Sequence, residues 1–245
     1  MKKKFLVLTM AAMLALSTAA CGNKKEEKKS EETVTTSTET GATETEATET
    51  EASTSAPTVV KDASETDAKN AEIDKLFAEE PKITLSDKAA KDGFANTVEA
   101  KYENLTFQVP DYFKYSEEIS SDPNYYYYAE QSEDTVVDLT VTIQNGAGVT
   151  KEVAQAAKDE FISSLEATGE IKVTSAFETE VAGYYTLGAD VEYNMSDLTG
   201  TGRLYFIFDT DAAKIVGIGL VQTSNAQYDY TSDFEKIIAT IKVAQ

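Results

Sequence analysis

Residues 95–245 predict an α+β domain, a mostly antiparallel sheet of about six to seven strands flanked by two helices. Three patterns carry that expectation. Apolar and polar residues alternate over short stretches separated by turn-forming residues. Two stretches change to helical spacing. Two others are apolar on both parities, as in central strands covered on both faces.

The elements follow in order. Leu105-Thr106-Phe107-Gln108-Val109 alternates and is stopped by Pro110. Tyr125 to Glu130 is strand-like through its aromatic residues. Val137, Leu139, Val141 and Ile143 alternate with Asp138, Thr140 and Thr142, which predicts a half-buried strand with a polar outer face. Val153, Ala157, Phe161 and Leu165 then recur every fourth residue, the stripe of an amphipathic helix with Thr150 as N-cap and Gly169 as its stop.

Four strands come next. Ile171, Val173, Phe177 and Val181 share one parity, interrupted by Ser175 and Thr179; Tyr185, Leu187, Ala189, Val191 and Tyr193 alternate cleanly. Leu204–Phe208 and Ile215–Val221 are the fully apolar runs. Gly183, Thr199-Gly200-Thr201-Gly202 and Asp209-Thr210-Asp211 supply the turns. A second helix closes the chain, with Ser232 and Glu235 as a capping box and Phe234, Ile237, Ile238 and Ile241 on one face.

Composition excludes several function classes. The 245 residues contain 22 basic and 43 acidic side chains, a net charge of −21, with no His and no Trp. Mechanisms built on an imidazole base or a His ligand are therefore ruled out. The single cysteine, Cys21, precludes an intrachain disulfide. Such an acidic chain repels phosphate backbones, so nucleic acid is not an expected partner.

The N-terminal segment reads as an export leader over residues 1–20. Lys2, Lys3 and Lys4 precede the apolar run from Phe5 to Leu16, and small residues lead to Cys21. That run is shorter than the roughly 20 residues of a membrane-spanning helix. Ser17-Thr18-Ala19-Ala20-Cys21-Gly22 resembles the lipobox of bacterial lipoproteins. The resemblance implies a diacylglyceryl group on Cys21, two acyl chains holding the protein to the bilayer, and a location on the outer face of the cytoplasmic membrane. Loss of three leader lysines takes the charge from −21 to −24, which keeps the body away from anionic headgroups.

Residues 21–70 hold the lipidated cysteine and a tether rich in Thr and Glu, too poor in apolar residues to fold. As a flexible coil it would average about 35–42 Å end to end. Residues 71–94 form a transitional segment in which Ile73, Leu76 and Phe77 suggest a short helix ended by Pro81.

Asn104-Leu105-Thr106-Phe107-Gln108-Val109-Pro110-Asp111-Tyr112, Asp233-Phe234-Glu235-Lys236-Ile237-Ile238 and the element order together resemble the PsbP-like α/β/α sandwich over about residues 100–243. That resemblance implies an accessory or binding protein without chemistry of its own, an analogy from fold.

Candidate site residues are few. Tyr125, Tyr126, Tyr127 and Tyr128 alternate on a strand, two to each face, so at most half can form an exposed platform for a glycan or a protein. Asp209 and Asp211 in a turn could begin a cation site, and Glu130, Glu133 and Asp134 cluster in another turn. The usual role of Asp in turns, in a chain this acidic, is the plainer account of both groups. Arg203, the only arginine, suits a carboxylate on a partner or ligand, or balances a neighbouring Asp or Glu at the start of its strand. No cofactor motif is present. The sequence therefore points to a non-catalytic, lipid-anchored lipoprotein binding an envelope protein or glycan. Two alternatives remain, a carboxylate-dependent hydrolase of the envelope and a small solute-binding lipoprotein.

Overall fold

The computed structural model describes residues 63–78, 80–195 and 198–244; the leader, Cys21 and most of the tether lie outside them. The helix expected around Ile73–Phe77 spans Ala63–Ala78 (α1), so it takes in residues 63–70 at the end of the segment expected as tether. Its residues are mainly good helix formers, and the chain leaves the helix before Pro81. Ile73 is buried, with Leu76 and Phe77 packed beside it.

Seven strands form one antiparallel sheet: β3 (Lys114–Tyr115), β4 (Asn124–Gln131), β5 (Val136–Asn145), β6 (Ile171–Val181), β7 (Tyr184–Met195), β8 (Leu198–Asp209) and β9 (Lys214–Thr223), in the order β3-β4-β5-β9-β8-β7-β6. The α+β class and the mostly antiparallel sheet are those the sequence predicts. β8 and β9, the runs apolar on both parities, lie inside the sheet with buried side chains on both faces. One strand is placed differently. Leu105–Pro110 (β2) belongs to a separate three-stranded sheet with β1 (Thr97–Tyr102) and β10 (Lys242–Val243).

Two cores result, one on each face of the large sheet. On one face α1, α2 (Lys151–Ala156) and α3 (Lys158–Glu166) bring Ile73, Ala154, Phe161, Ile162 and Leu165 onto β6–β9. On the other, β2 and α4 (Thr231–Ala239) bring Leu105, Phe107, Phe234 and Ile237 onto β4, β5, β8 and β9. These are called the three-helix face and the small-sheet face below.

The described residues thus hold four helices where three were expected, the two flanking the sheet and the short one at Ile73–Phe77. The extra one arises because the stretch after Thr150 divides at Ala157, whose backbone leaves helical geometry (φ −92°, ψ 12°). Thr150 caps α2 as expected, accepting from the Val153 N–H, and Gly169 takes a positive φ of 70° after α3. The division rotates the stripe. Val153 is exposed, while Ala154, Phe161, Ile162 and Leu165 are buried.

Three further differences have local causes. A bulge between Val173 and Ser175 in β6 shifts the pleat by one residue. Phe177 and Val181 therefore enter the small-sheet core, while Ile171 and Val173 face the helices. Thr199–Gly202 lies within β8 and is not a turn. A Cβ on Gly200 would come within 2.1 Å of the Gln222 carbonyl oxygen and 2.2 Å of the Tyr193 hydroxyl, so that position admits only glycine. Finally, Ser232 and Glu235 form no capping box: Asp229 accepts from the Thr231 N–H at 2.9 Å, and Glu235 is drawn to Arg203.

Candidate binding sites on the two faces of the sheet

β4 runs antiparallel to β5 near one edge of the sheet, so its tyrosines separate as the pleat requires. Tyr125 and Tyr127 lie opposite Val141 and Leu139 on the small-sheet face; Tyr126 and Tyr128 lie opposite Thr140 and Asp138 on the other. On the small-sheet face Tyr102 from the end of β1 stacks on Tyr125, with centroids 3.6 Å apart and 17° between planes. The Tyr102 hydroxyl shares a hydrogen bond with that of Tyr127, and the Tyr115 ring lies 5.3 Å from Tyr127.

Four tyrosines from three strands thus form one cluster. Tyr127 is buried, Tyr102 and Tyr125 are partly exposed, and Tyr115 on the edge strand β3 is 44% exposed. Its border is acidic. The Tyr125 hydroxyl donates to Asp122 at 3.4 Å, and Glu103 pairs with Lys214 at 3.0 Å. Burial is the main reason that Tyr102 and Tyr125 titrate above an ordinary phenol; hydrogen bonding to Tyr127 and the charge of Asp122, respectively, add to it. These phenols remain neutral and offer ring faces and hydroxyls, the chemistry of stacking and hydrogen bonding.

Arg203 sits mid-strand on the small-sheet face at 2% exposure. Its Nε donates to Asp190 Oδ1 at 2.6 Å and its Nη2 to Oδ2 at 2.9 Å, a two-pronged contact with its cross-strand partner. Nη1 donates to Glu235 at 2.9 Å and Nη2 also to the Lys82 carbonyl at 2.5 Å. Burial alone would lower the guanidinium pKa; the bonds and charges of Asp190 and Glu235 hold it above its ordinary value. Each of its nitrogens is committed within the chain.

The turn acids have internal partners as well. Asp209 is buried, accepting from the Ala212 N–H at 3.0 Å and from Asn104 Nδ2 at 3.1 Å, and Asp211 accepts from Tyr184 at 2.8 Å. Glu130 accepts from Tyr230 at 2.6 Å, and Asp134 accepts from Ser132 at 3.0 Å within its own turn. Among the described residues no three acidic or thiol side chains gather as a metal site.

The residue that sequence reasoning missed is Asp138. Asp138, Thr140 and Thr142 are not a solvated outer face; they are 2%, 6% and 4% exposed. Asp138 stands opposite Tyr128 and Val221 on the three-helix face, and neither carboxylate oxygen has a hydrogen-bond partner of normal geometry. Burial raises its pKa to about 7, opposed by the hydroxyl of Tyr126. Its charge acts in turn on Tyr126 and Tyr193, both of which burial already pushes upward. The available signal was Gly217 and Gly219 on β9, which leave small residues opposite the threonines of β5.

No protein-family model matches the chain, and no curated protein matches it. Among solved structures it is similar to the Ran-binding protein Mog1p of Saccharomyces cerevisiae, at 14% identity over 61% of this chain and 96% of that one, with a TM-score of 0.44. It is also similar to PsbP of the cyanobacterium Synechocystis, at 12% identity over 63% of this chain and 96% of that one, with a TM-score of 0.46.

Proposed function

We propose that this chain is a lipid-anchored, non-catalytic lipoprotein on the outer face of the cytoplasmic membrane. Its α+β domain, PsbP-like by the sequence resemblance, presents the tyrosine cluster to another envelope component, a protein or a glycan. The observation that carries this reading is the convergence of Tyr102, Tyr115, Tyr125 and Tyr127 from three strands of two sheets into one partly exposed group. Rigid amphipathic rings suit contact with sugar rings or protein surfaces, because they bury large area with little loss of side-chain freedom. The Cys21 context supplies the anchor, and the acidic body keeps the contact face clear of anionic lipid.

The hydrolase alternative gains nothing from Asp138. Glycosidase chemistry takes two carboxylates flanking one bond, and Tyr126 is the hydrogen-bonding group that acts on this one.

Proximity crosslinking in intact cells, read by mass spectrometry, tests the proposal. The full chain should yield a recurrent envelope component, and a Tyr102→Ala/Tyr125→Ala double variant should lower its recovery about tenfold. Equal recovery from that variant would refute the tyrosine surface. For the anchor, Cys21→Ser should release the chain to the medium or leave it unprocessed; unchanged lipid labelling would refute lipidation at Cys21.

A further inference from the structure

β6 ends the large sheet and pairs with β7 on one side only. Its two halves have different surroundings. Along residues 171–173, Ile171 and Val173 pack with Ile73 of α1, and the Val173 N–H donates to the Glu166 carboxylate of α3 at 2.9 Å. The bulge between Val173 and Ser175 separates that half from residues 175–181, which keep an unbroken register with residues 184–190 of β7. Among the described residues no hydrogen bond reaches the outer side of this second half. An unpaired strand edge is a row of N–H and C=O groups able to accept another strand.

A groove of about 490 Å³ lies beside the free half on the small-sheet face. Phe177 and Tyr205 line it with ring centroids 5.4 Å apart, and Val181, Ile238 of α4 and Pro81 complete its apolar wall. Gly188 keeps the Phe177 ring down against the sheet, since a Cβ there would come within 2.1 Å of it. The other face of the same half is acidic. Glu178 and Glu180 stand opposite Leu187 and Tyr185 on the three-helix face, and both are exposed. Glu178 pairs with Lys158; among the described residues no cation pairs with Glu180. The one guanidinium beside the groove, Arg203, is already held by Asp190 and Glu235.

We propose that residues 175–181 are a docking edge for an extended segment of a partner protein in which basic and apolar residues alternate. The incoming strand continues the sheet through main-chain hydrogen bonds, and its side chains fall on the two faces in turn. The apolar ones enter the groove over Phe177 and Tyr205, and the basic ones lie beside Glu178 and Glu180. Charge decides the occupant. A second copy of this chain brings the same two glutamates, and the tether is itself rich in Glu, so like charges oppose both; a basic strand meets opposite charge. The edge lies at the far end of the sheet from β3 and β4 and does not depend on the tyrosine cluster.

The probe is the synthetic peptide Lys-Val-Lys-Val-Lys-Val-Lys, added to the full chain in detergent at physiological salt and followed by calorimetry and amide hydrogen exchange. It should bind one to one and slow exchange at alternate amides within residues 175–181, with no such change on β3 or β4. The peptide Lys-Lys-Lys-Lys-Val-Val-Val keeps the composition without the alternation and should bind about tenfold more weakly. The peptide Glu-Val-Glu-Val-Glu-Val-Glu should not bind. Glu180→Lys alters an exposed side chain and turns a favourable cross-strand pair into a repulsive one. It should weaken the alternating basic peptide about tenfold and admit the acidic one.

Equal affinity for the two basic peptides would reduce the effect to attraction by an acidic body and overturn the proposal. Exchange within residues 175–181 that the alternating peptide leaves unchanged would do the same without relying on any variant, as would an affinity unaltered by Glu180→Lys. Slow exchange at these amides before any peptide is added would also overturn it. Dependence of that protection on protein concentration would then identify a second copy as the occupant, and independence the chain's own tether.

Discussion

Asp190 and Asp138 occupy opposite faces of the same sheet, each almost completely buried, yet their surroundings differ. Asp190 meets a guanidinium in a two-pronged contact and joins Glu235 and the Lys82 backbone in a connected group. Asp138 meets phenols and no cation among the described residues. The first arrangement is structural: the charge is neutralised and its acceptor sites are filled. The second has no counter-charge: the Tyr126 hydroxyl favours its ionised form while burial opposes it, so its protonation follows pH. Burial alone does not set a carboxylate's charge; the presence or absence of a cation beside it does.

The comparison is tested hardest by removing the arginine. Arg203→Ala leaves Asp190 buried without its partner, and breaking a buried pair on one side costs about 3–5 kcal/mol. Urea unfolding of the full chain at pH 7 should show a loss of that size. A loss under about 1 kcal/mol would mean that Asp190 is solvated by other means and that the contrast with Asp138 is false. The double change Arg203→Met/Asp190→Leu should recover most of the loss, because two apolar groups leave neither charge uncompensated.

Asp138 should give the opposite pattern with pH. Its folded pKa is raised to about 7 from the ordinary carboxyl value of 3.8. Between those values the folded state holds more protons than the unfolded chain, so stability falls as pH rises and levels off above about 7. Each pH unit within that window is worth about 1.4 kcal/mol, or about 3 kcal/mol between pH 5 and pH 8. Asp138→Asn lacks this slope. Relative to the parent chain, the variant should gain about 3 kcal/mol in unfolding free energy on going from pH 5 to pH 8. A difference that stays flat with pH would show that Asp138 is solvated or paired, and the two aspartates would then be alike.

The contrast between these residues was only partly legible in the sequence. Runs such as Leu204–Phe208 and Ile215–Val221 declare burial on both faces, because nothing polar interrupts them. Alternation along β5 declares two faces but does not say whether the polar one is covered, so Asp138, Thr140 and Thr142 read as solvated. The Asp190–Arg203 pair depends on the register of β7 against β8, and that register was obscured by reading Thr199–Gly202 as a turn. β1 has mostly exposed residues and no alternation to announce it, yet it delivers Tyr102 to the cluster. The two-per-face separation of Tyr125–Tyr128 follows from the pleat alone and was legible. What stacks on Tyr125 was not, since that partner arrives from a second sheet.

Adjacent tyrosines on β4 sharpen the same comparison at the smallest scale. Tyr127 shares a hydroxyl hydrogen bond with Tyr102 on the small-sheet face, whereas the Tyr126 hydroxyl acts on Asp138 on the other. Tyr127→Phe removes one neutral hydrogen bond and leaves the partly exposed Tyr102 phenol access to water. The expected loss is about 1 kcal/mol, the same at pH 5 and pH 8. Tyr126→Phe removes a group that favours the ionised carboxylate, so its effect follows the charge on Asp138. At pH 5 the carboxyl is protonated and that favourable interaction is largely absent; at pH 8 the carboxylate loses its donor, and the loss should be larger by about 1 kcal/mol. Parallel urea titrations of the two variants at both pH values separate these cases. Identical pH profiles would mean that the Tyr126 hydroxyl does not act on an ionising Asp138, and the distinction between the two faces of the sheet would fail at its nearest pair of residues.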